Sequence, residues 1–214
     1  MDTPILKSIA KKLFDLFFID DQKYGKQIED GTYQFRREKI TQVNIERMIE
    51  KGESLLTYQE FHVLDNANIK WICIDLDIPK EKFSETENNE ENLKPLKSVA
   101  EKVCKFLRSI NIPYLCEFSG RRGFHIWIFF EEYILKQEGY NLITYILNNV
   151  NFPAGVKADK FPATGTVSRN SKGVGKGVKL PLSLHKKSNF ISYFIDDCQV
   201  LKSIEWIKEP NSTF

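Results

Sequence analysis

The sequence predicts a mixed α/β protein whose unusual polar residues stand on strands. Three stretches carry that prediction. At the head of the chain, Ile5, Leu6, Ile9, Leu13, Phe14 and Phe17 recur at helical spacing. "WICIDLDIPKE", Trp71 to Glu81, reads as a buried strand that nevertheless contains Asp75 and Asp77. "IPYLCEFSGRRGFHIWIFF" reads as strand, short turn, strand.

The elements follow in order. Asp2-Thr3-Pro4 starts the first helix, and a polar, charged region follows it, with "GTYQFRR" extended. Residues 41–51 form a short helix whose apolar members are Val43, Ile45, Met48 and Ile49. "SLLTYQEFHVLD" leads into the strong strand Ile69–Leu76. After the acidic, solvated stretch "EKFSETENNEEN", residues Leu93, Leu96, Val99, Ala100, Val103, Phe106 and Leu107 trace a helix. Beyond the strand pair, residues 131–149 return to helix and 156–161 make a short strand. "GVKLPLSLH" and "FISYFID" supply further extended pieces, with Pro181 marking an edge strand or an interruption. No repeat or low-complexity block is present, and the 80–92 loop is the best boundary.

With 214 residues, 42% hydrophobic and 28% charged, the chain has the composition of a globular protein large enough for one domain or two small lobes. Its net charge of +2 announces no partner, but the distribution does. From Lys157 to Ser188, Lys157, Lys160, Arg169, Lys172, Lys176, Lys179, Lys186 and Lys187 face the single acid Asp159. That tract suits phosphates, or is simply a basic loop. Cys73, Cys104, Cys116 and Cys198 show no C-x-x-C spacing, so no structural zinc is expected, and Cys73 and Cys116 read as core thiols. No secretion signal and no membrane-length apolar run is evident; the expectation is a cytoplasmic, intracellular protein with no membrane partner, for which the Asn211-Ser212-Thr213 glycosylation pattern carries no weight.

Four constellations carry chemistry. Asp75 and Asp77 alternate with Leu76, so on a strand they share a face, about 7 Å apart. They suit a hard cation such as Mg²⁺ or Mn²⁺, or else a solvated strand end. "SGRRGFHIW" places Ser119, Arg121 and Arg122 between glycines, where backbone amides and guanidinium forks match an anion; read alone it is also an ordinary hairpin tip. Beyond it, His125, Trp127 and Phe129 fall on one face and Phe124, Ile126, Ile128 and Phe130 on the other. Asp159, in "VKADKFPAT", is a third metal-ligand candidate or a local partner of Lys157 or Lys160. "KGVGKGVKLPLSLHKK" lacks the G-x-x-x-x-G-K-[ST] spacing of a P-loop but offers Lys179 and His185 to a phosphate.

In this order, "DLD", "SGRRGFHIW", an acid and "KLPLSLHKK" resemble the archaeo-eukaryotic primase superfamily, from about residue 15 to 195. The chain looks closest to primase-polymerases of mobile elements, defence systems and CRISPR loci, which share a "Y…FR" segment, as in Tyr33 to Arg36, and an acid-x-Phe-Pro segment, as in "DKFP". The resemblance implies an α+β fold: a small N-terminal αβ lobe, mainly residues 1–68, joined to an RRM-like antiparallel-sheet lobe, mainly 69–200, with the active site in the cleft. It implies that Asp75, Asp77 and Asp159 bind two divalent cations, Mg²⁺ or Mn²⁺. Ser119, Arg121, Arg122 and His125 would hold the nucleotide triphosphate, with Lys179 and His185 reaching it from the other side. The implied activity is template-directed nucleotidyl transfer, as a DNA primase or polymerase, using NTPs or dNTPs on a single-stranded DNA template and primer. The zinc ligands and accessory domain of many relatives are not found, which implies an excised domain that works with further domains or accessory replication or defence proteins. Two rival readings fit parts of the sequence: a non-catalytic single-strand binder using Trp127 and Phe129 as stacking platforms, and a metal-dependent phosphohydrolase or nuclease.

Overall fold

The computed structural model describes residues 3–59, 61–63, 66–83, 89–166, 176–196 and 199–200. Within the basic tract, Arg169 and Lys172 lie outside the described residues, as do Cys198 and the 211–213 pattern. Along the chain run α1 (Thr3–Phe17), β1 (Tyr24–Gln27), β2 (Tyr33–Arg36), α2 (Gln42–Lys51), β3 (Leu55–Thr57), β4 (Phe61–Val63) and β5 (Asn66–Asp77). A single 3₁₀ turn, Lys80–Lys82, precedes α3 (Asn89–Ser109), β6 (Leu115–Phe118), β7 (Gly123–Leu135), α4 (Lys136–Asn148) and β8 (Lys157–Phe161). Four short strands and a longer one complete the order: β9 (Val178–Lys179), β10 (Leu184–His185), β11 (Phe190–Ile191), β12 (Tyr193–Asp196) and β13 (Gln199–Val200).

The large sheet is antiparallel, ordered β13-β12-β6-β7-β5-β4, with β8 also paired to β5. Both faces are covered, which is why its central strands are apolar on both sides. On one face Ile72, Ile74, Leu76, Ile126, Ile128 and Phe130 pack under Leu96, Val99, Val103 and Leu107 of α3 and Ile143 and Ile146 of α4. On the other, Trp71, Cys73, Trp127 and Phe129 meet Ile9, Leu13 and Phe17 of α1. The alternation read from "GFHIWIFF" is therefore the actual division of β7 between two cores, and Cys73 and Cys116 are buried thiols.

A second, four-stranded sheet, ordered β2-β1-β3-β9, extends the core under α1 through Tyr24, Leu55 and Val178. Its last strand comes from far along the chain: Lys179 lies opposite Leu56, and the Leu180 N–H donates to the Leu55 carbonyl at 2.8 Å. Pro181 interrupts this region as expected, and Leu182, at φ 64°, turns the backbone before β10.

Two expectations change. Residues 131–135 continue β7 instead of opening a helix; a register shift between Ile69 and Trp71 lets the ladder run on to Asn68 opposite Leu135, and α4 starts only at Lys136. The polar region after α1 contains β1, a strand without apolar alternation: Gly25 gives way to Leu56, whose side chain fills the space that a Cβ would need. The short helix at 41–51 stands as α2. The Thr41 N–H donates to Asn44 Oδ1 at 2.8 Å, and Gly52, at φ 62°, closes the other end in the left-handed conformation that glycine tolerates.

Candidate active site

Residues opposite one another on paired strands share a sheet face. Asp75 of β5 faces Asp159 of β8 on one side and His125 of β7 on the other, and His125 in turn faces Glu117 of β6. One row across four strands therefore reads Asp159, Asp75, His125, Glu117. The next row sets Asp77 between Lys157 and Gly123. This is the face that is core at Cys73 and Trp127; two residues further along β5 it turns polar. Leu76, between the two acids, is buried in the opposite core.

The acids have counter-charges of their own. Arg122 Nη2 lies 2.9 Å from Asp77 Oδ2, and the same guanidinium donates to the Ile78 carbonyl. Lys157 Nζ meets Asp159 Oδ2 at 2.7 Å, so the local ion pair foreseen for Asp159 exists alongside its place opposite Asp75. Burial pushes the Asp75 carboxyl up, His125 draws it down and Asp159 raises it again, with a net upward shift. Burial, then the charge of Asp75, push Asp77 up to about 6.

The turn between β6 and β7 is fixed from several sides. The Ser119 N–H donates to the Gly123 carbonyl at 2.9 Å, and the Ile78 N–H to the Arg122 carbonyl at 3.1 Å. Gly123 is required by space: a Cβ there would collide with Asp77 Oδ1 and stand 3.1 Å from Ser119 Oγ. Gly120 has φ 95°, and its side-chain position is filled by the Phe190 carbonyl and His185 Cβ. Lys179 Nζ donates to the Ser119 carbonyl at 2.6 Å, and Ser188 Oγ to the Gly120 carbonyl at 2.6 Å while lying 3.1 Å from His185 Nδ1. Lys179 and His185 are thus brought against the turn that carries Ser119, Arg121 and Arg122. Burial lowers Lys179 to about 8 against the raising charges of Glu117 and Asp75, and burial together with Lys179 lowers His185 to about 4. The Arg121 guanidinium stands 5.3 Å from the centre of the Phe83 ring.

All nine predicted side chains therefore gather at one end of β5 and β7: three acids and His125 on the sheet face, and Ser119, Arg121, Arg122, Lys179 and His185 around the adjoining turn. Sequence reasoning missed Glu117. Its signal was the same as that of Asp75: an acid inside an apolar strand, "LCEF", beside the basic turn. It is fully buried and bonds His125 Nδ1 at 2.9 Å and the Trp127 indole at 3.0 Å. Burial would lower the His125 pKa, but Glu117 and Asp75 outweigh it, and the net shift is upward.

Among the described residues no three Asp, Glu, His or Cys side chains are gathered as a ready metal cage, for Asp77 turns to Arg122 and Asp159 to Lys157. The donor chemistry nevertheless fits a hard divalent cation: carboxylate oxygens on one face, two of them held above the ordinary range by burial and mutual charge. The stacking role considered for Trp127 and Phe129 does not survive, because both are buried against Phe17. Exposed aromatics stand elsewhere, among them Tyr33 and Phe35 on β2 and Phe190 on β11. No helix among the described residues is long and apolar enough to cross a membrane.

Among solved structures, the chain is similar to the polymerase domain of Mycobacterium tuberculosis ligase D, solved in complex with DNA: TM-score 0.58, 11% identity, covering 97% of this chain and 82% of that one. It also matches the AEP domain of the cyanophage S-2L primase-polymerase, with TM-score 0.45, 6% identity and coverage of 94% and 95%. No curated protein sequence matches it. Residues 20–207 match the family described as the archaeo-eukaryotic primase domain of the TOTE conflict system, a span that holds every side chain of the site. With the acids, the arginine turn and the Lys179–His185 arm all inside that match, and with a mixed antiparallel fold shared with a polymerase domain, the chain belongs to the archaeo-eukaryotic primase family of TOTE conflict systems.

Proposed function

We propose that this chain is a template-directed nucleotidyltransferase, a DNA primase or DNA-dependent polymerase that adds NTPs or dNTPs to single-stranded or primed DNA. The observation that carries the reading is the row Asp159, Asp75, His125, flanked by Asp77 and ended by a turn on which Lys179 and His185 converge. Acids on one side and cations on the other are what transfer of a nucleotidyl group from a triphosphate requires.

Asp75, Asp77 and Asp159 would hold two divalent cations, Mg²⁺ or Mn²⁺, which when bound acidify the attacking 3′-hydroxyl and neutralise the leaving pyrophosphate. The chain's own side chains do the rest. Ser119, Arg121 and Arg122 orient the triphosphate, the arginines through planar forks suited to its oxygens. Lys179 brings a desolvated positive charge to the far side, worth more there than in water. His125 presents Nε2 beside Asp75, and His185, its Cβ against Gly120 and its Nδ1 near Ser188 Oγ, would meet the triphosphate from the other side. Tyr33 and Phe35, half-exposed on β2 at the edge of the small sheet, would offer ring faces to a single strand. The division into lobes near residue 68, and dependence on further domains or accessory conflict-system proteins, belong to the same proposal.

The test is gel-resolved extension of primed and unprimed single-stranded DNA with labelled NTPs or dNTPs and Mg²⁺ or Mn²⁺. Metal-dependent products, reduced at least a hundredfold in Asp75→Ala/Asp77→Ala with the fold intact by circular dichroism, are the expected result. Products from unprimed template identify a primase. Retained strand binding without products under every condition would overturn the proposal.

A further inference from the structure

Glu117 is fully buried in the middle of β6, where a carboxylate is costly unless its oxygens are used. One oxygen is used twice: Oε2 lies 2.9 Å from His125 Nδ1 and accepts the Trp127 Nε1–H at 3.0 Å. The other, Oε1, is buried with no hydrogen-bond partner. Satisfying the indole alone would not call for this arrangement, since a neutral amide oxygen could accept that bond without a buried charge. The feature that a carboxylate adds concerns the imidazole. A nitrogen facing an acceptor-only group must carry the proton, so Nδ1–H is fixed and the ring cannot turn over without losing the bond. Trp127 packs edge-on against the same ring, with centroids 5.6 Å apart. The opposite nitrogen, Nε2, then points to the row's other acid, with Asp75 Oδ1 3.7 Å away. That distance is too long for a direct hydrogen bond and leaves Nε2 available to an incoming oxygen.

We infer that Glu117 is a positioning residue, which locks the ring orientation and Nδ1–H of His125 so that Nε2 is presented to a triphosphate oxygen of the nucleotide beside Asp75. The inference rests on the nucleotide-binding reading above, but part of its test does not. It gives Glu117 no contact with substrate; its effect passes through His125 alone.

Two measurements test it. The chain has 3 histidines, so the ring ¹⁵N signals of His125 can be assigned by their loss in His125→Ala. In the wild-type protein Nδ1 is expected to be protonated from pH 6 to 9; the reverse tautomer, with Nδ1 bare, would overturn the inference whatever the protein's activity. The second is a double-mutant cycle on binding of a labelled, non-hydrolysable nucleoside triphosphate, with melting temperature followed in each variant. Glu117→Leu should weaken binding about tenfold, Glu117→Gln, which keeps an acceptor, less than threefold, and Glu117→Leu should add nothing in the His125→Ala background. Equal weakening in both backgrounds, or none in the wild type, would overturn the inference. Should Glu117→Leu fail to fold, Glu117→Ala takes its place in the cycle with the same expected outcome, and the nitrogen shifts decide independently. Wild-type protein that binds no nucleotide would instead defeat the proposed function, while the tautomer measurement would still stand.

Discussion

Asp77 shows how a site can cost stability. Its carboxyl is held near 6 in the folded chain by burial and by Asp75, against an ordinary value of 3.8. Between those values the folded state keeps a proton that the unfolded chain has lost, so this group's contribution to stability is most favourable below about pH 4 and falls as pH rises to 6. Asp77→Asn removes the penalty while preserving an acceptor for Arg122. In chelator at pH 8 it should stabilise the protein by ~1–3 kcal/mol, and the gain should vanish towards pH 4. Urea titrations at the two pH values check this; a loss of stability at pH 8 would mean that the Arg122 pair outweighs desolvation. The same variant should fail in extension, which separates what the residue does for the fold from what it does for the reaction.

At the scale of elements, α1 matters through its last residue. Phe17 is fully buried, edge-on to Trp127 and Phe129 at ring-centroid distances of 4.9 and 5.1 Å. Its carbonyl, one of those a helix C-terminus leaves without an intrahelical partner, accepts from the Trp71 indole at 3.1 Å and from the Thr57 hydroxyl. One residue thus ties α1 to β5, β7 and β3. Phe17→Ala should cost about 3–5 kcal/mol in urea unfolding, the range for a large aromatic deleted from a packed core; a loss under 1 kcal/mol would show that the core closes over the gap. Because Trp127 touches both Phe17 and His125, the same change should also loosen the histidine row.

Over the whole molecule, the sequence made faces legible and left partners hidden. The alternation in "WICIDLD" and "GFHIWIFF" put Asp75 with Asp77, and His125 with Trp127 and Phe129, on the faces they occupy, because a strand's period of two is a local property; that the Trp127 face is a second core it did not tell. That Asp159 stands opposite Asp75, or that Lys179 closes a sheet begun at Tyr24, depends on long-range register, which no local pattern encodes. Polar β1 escaped notice for want of alternation. Glu117 escaped because a lone acid in four residues gives no hint of what faces it.

The small sheet's last strand carries a further consequence. Lys179 belongs to that sheet through β9, only two residues long, yet its ammonium is bonded to Ser119 at the rim of the large one. Few direct bonds thus join the Lys179 strand to the turn of the large sheet, but both sheets pack into the one core under α1. Because that core is shared, nucleotide binding and secondary structure should be lost in one urea transition, with midpoints within about 0.5 M of each other. Loss of binding at a clearly lower urea concentration than loss of ellipticity would show instead that the sheets part locally first. If the transitions separate, bound nucleotide is a gauge of the joint between the sheets, and substitutions at Leu55, Leu56 or Val178, far from Asp75, become ways to tune how long the protein holds a nucleotide.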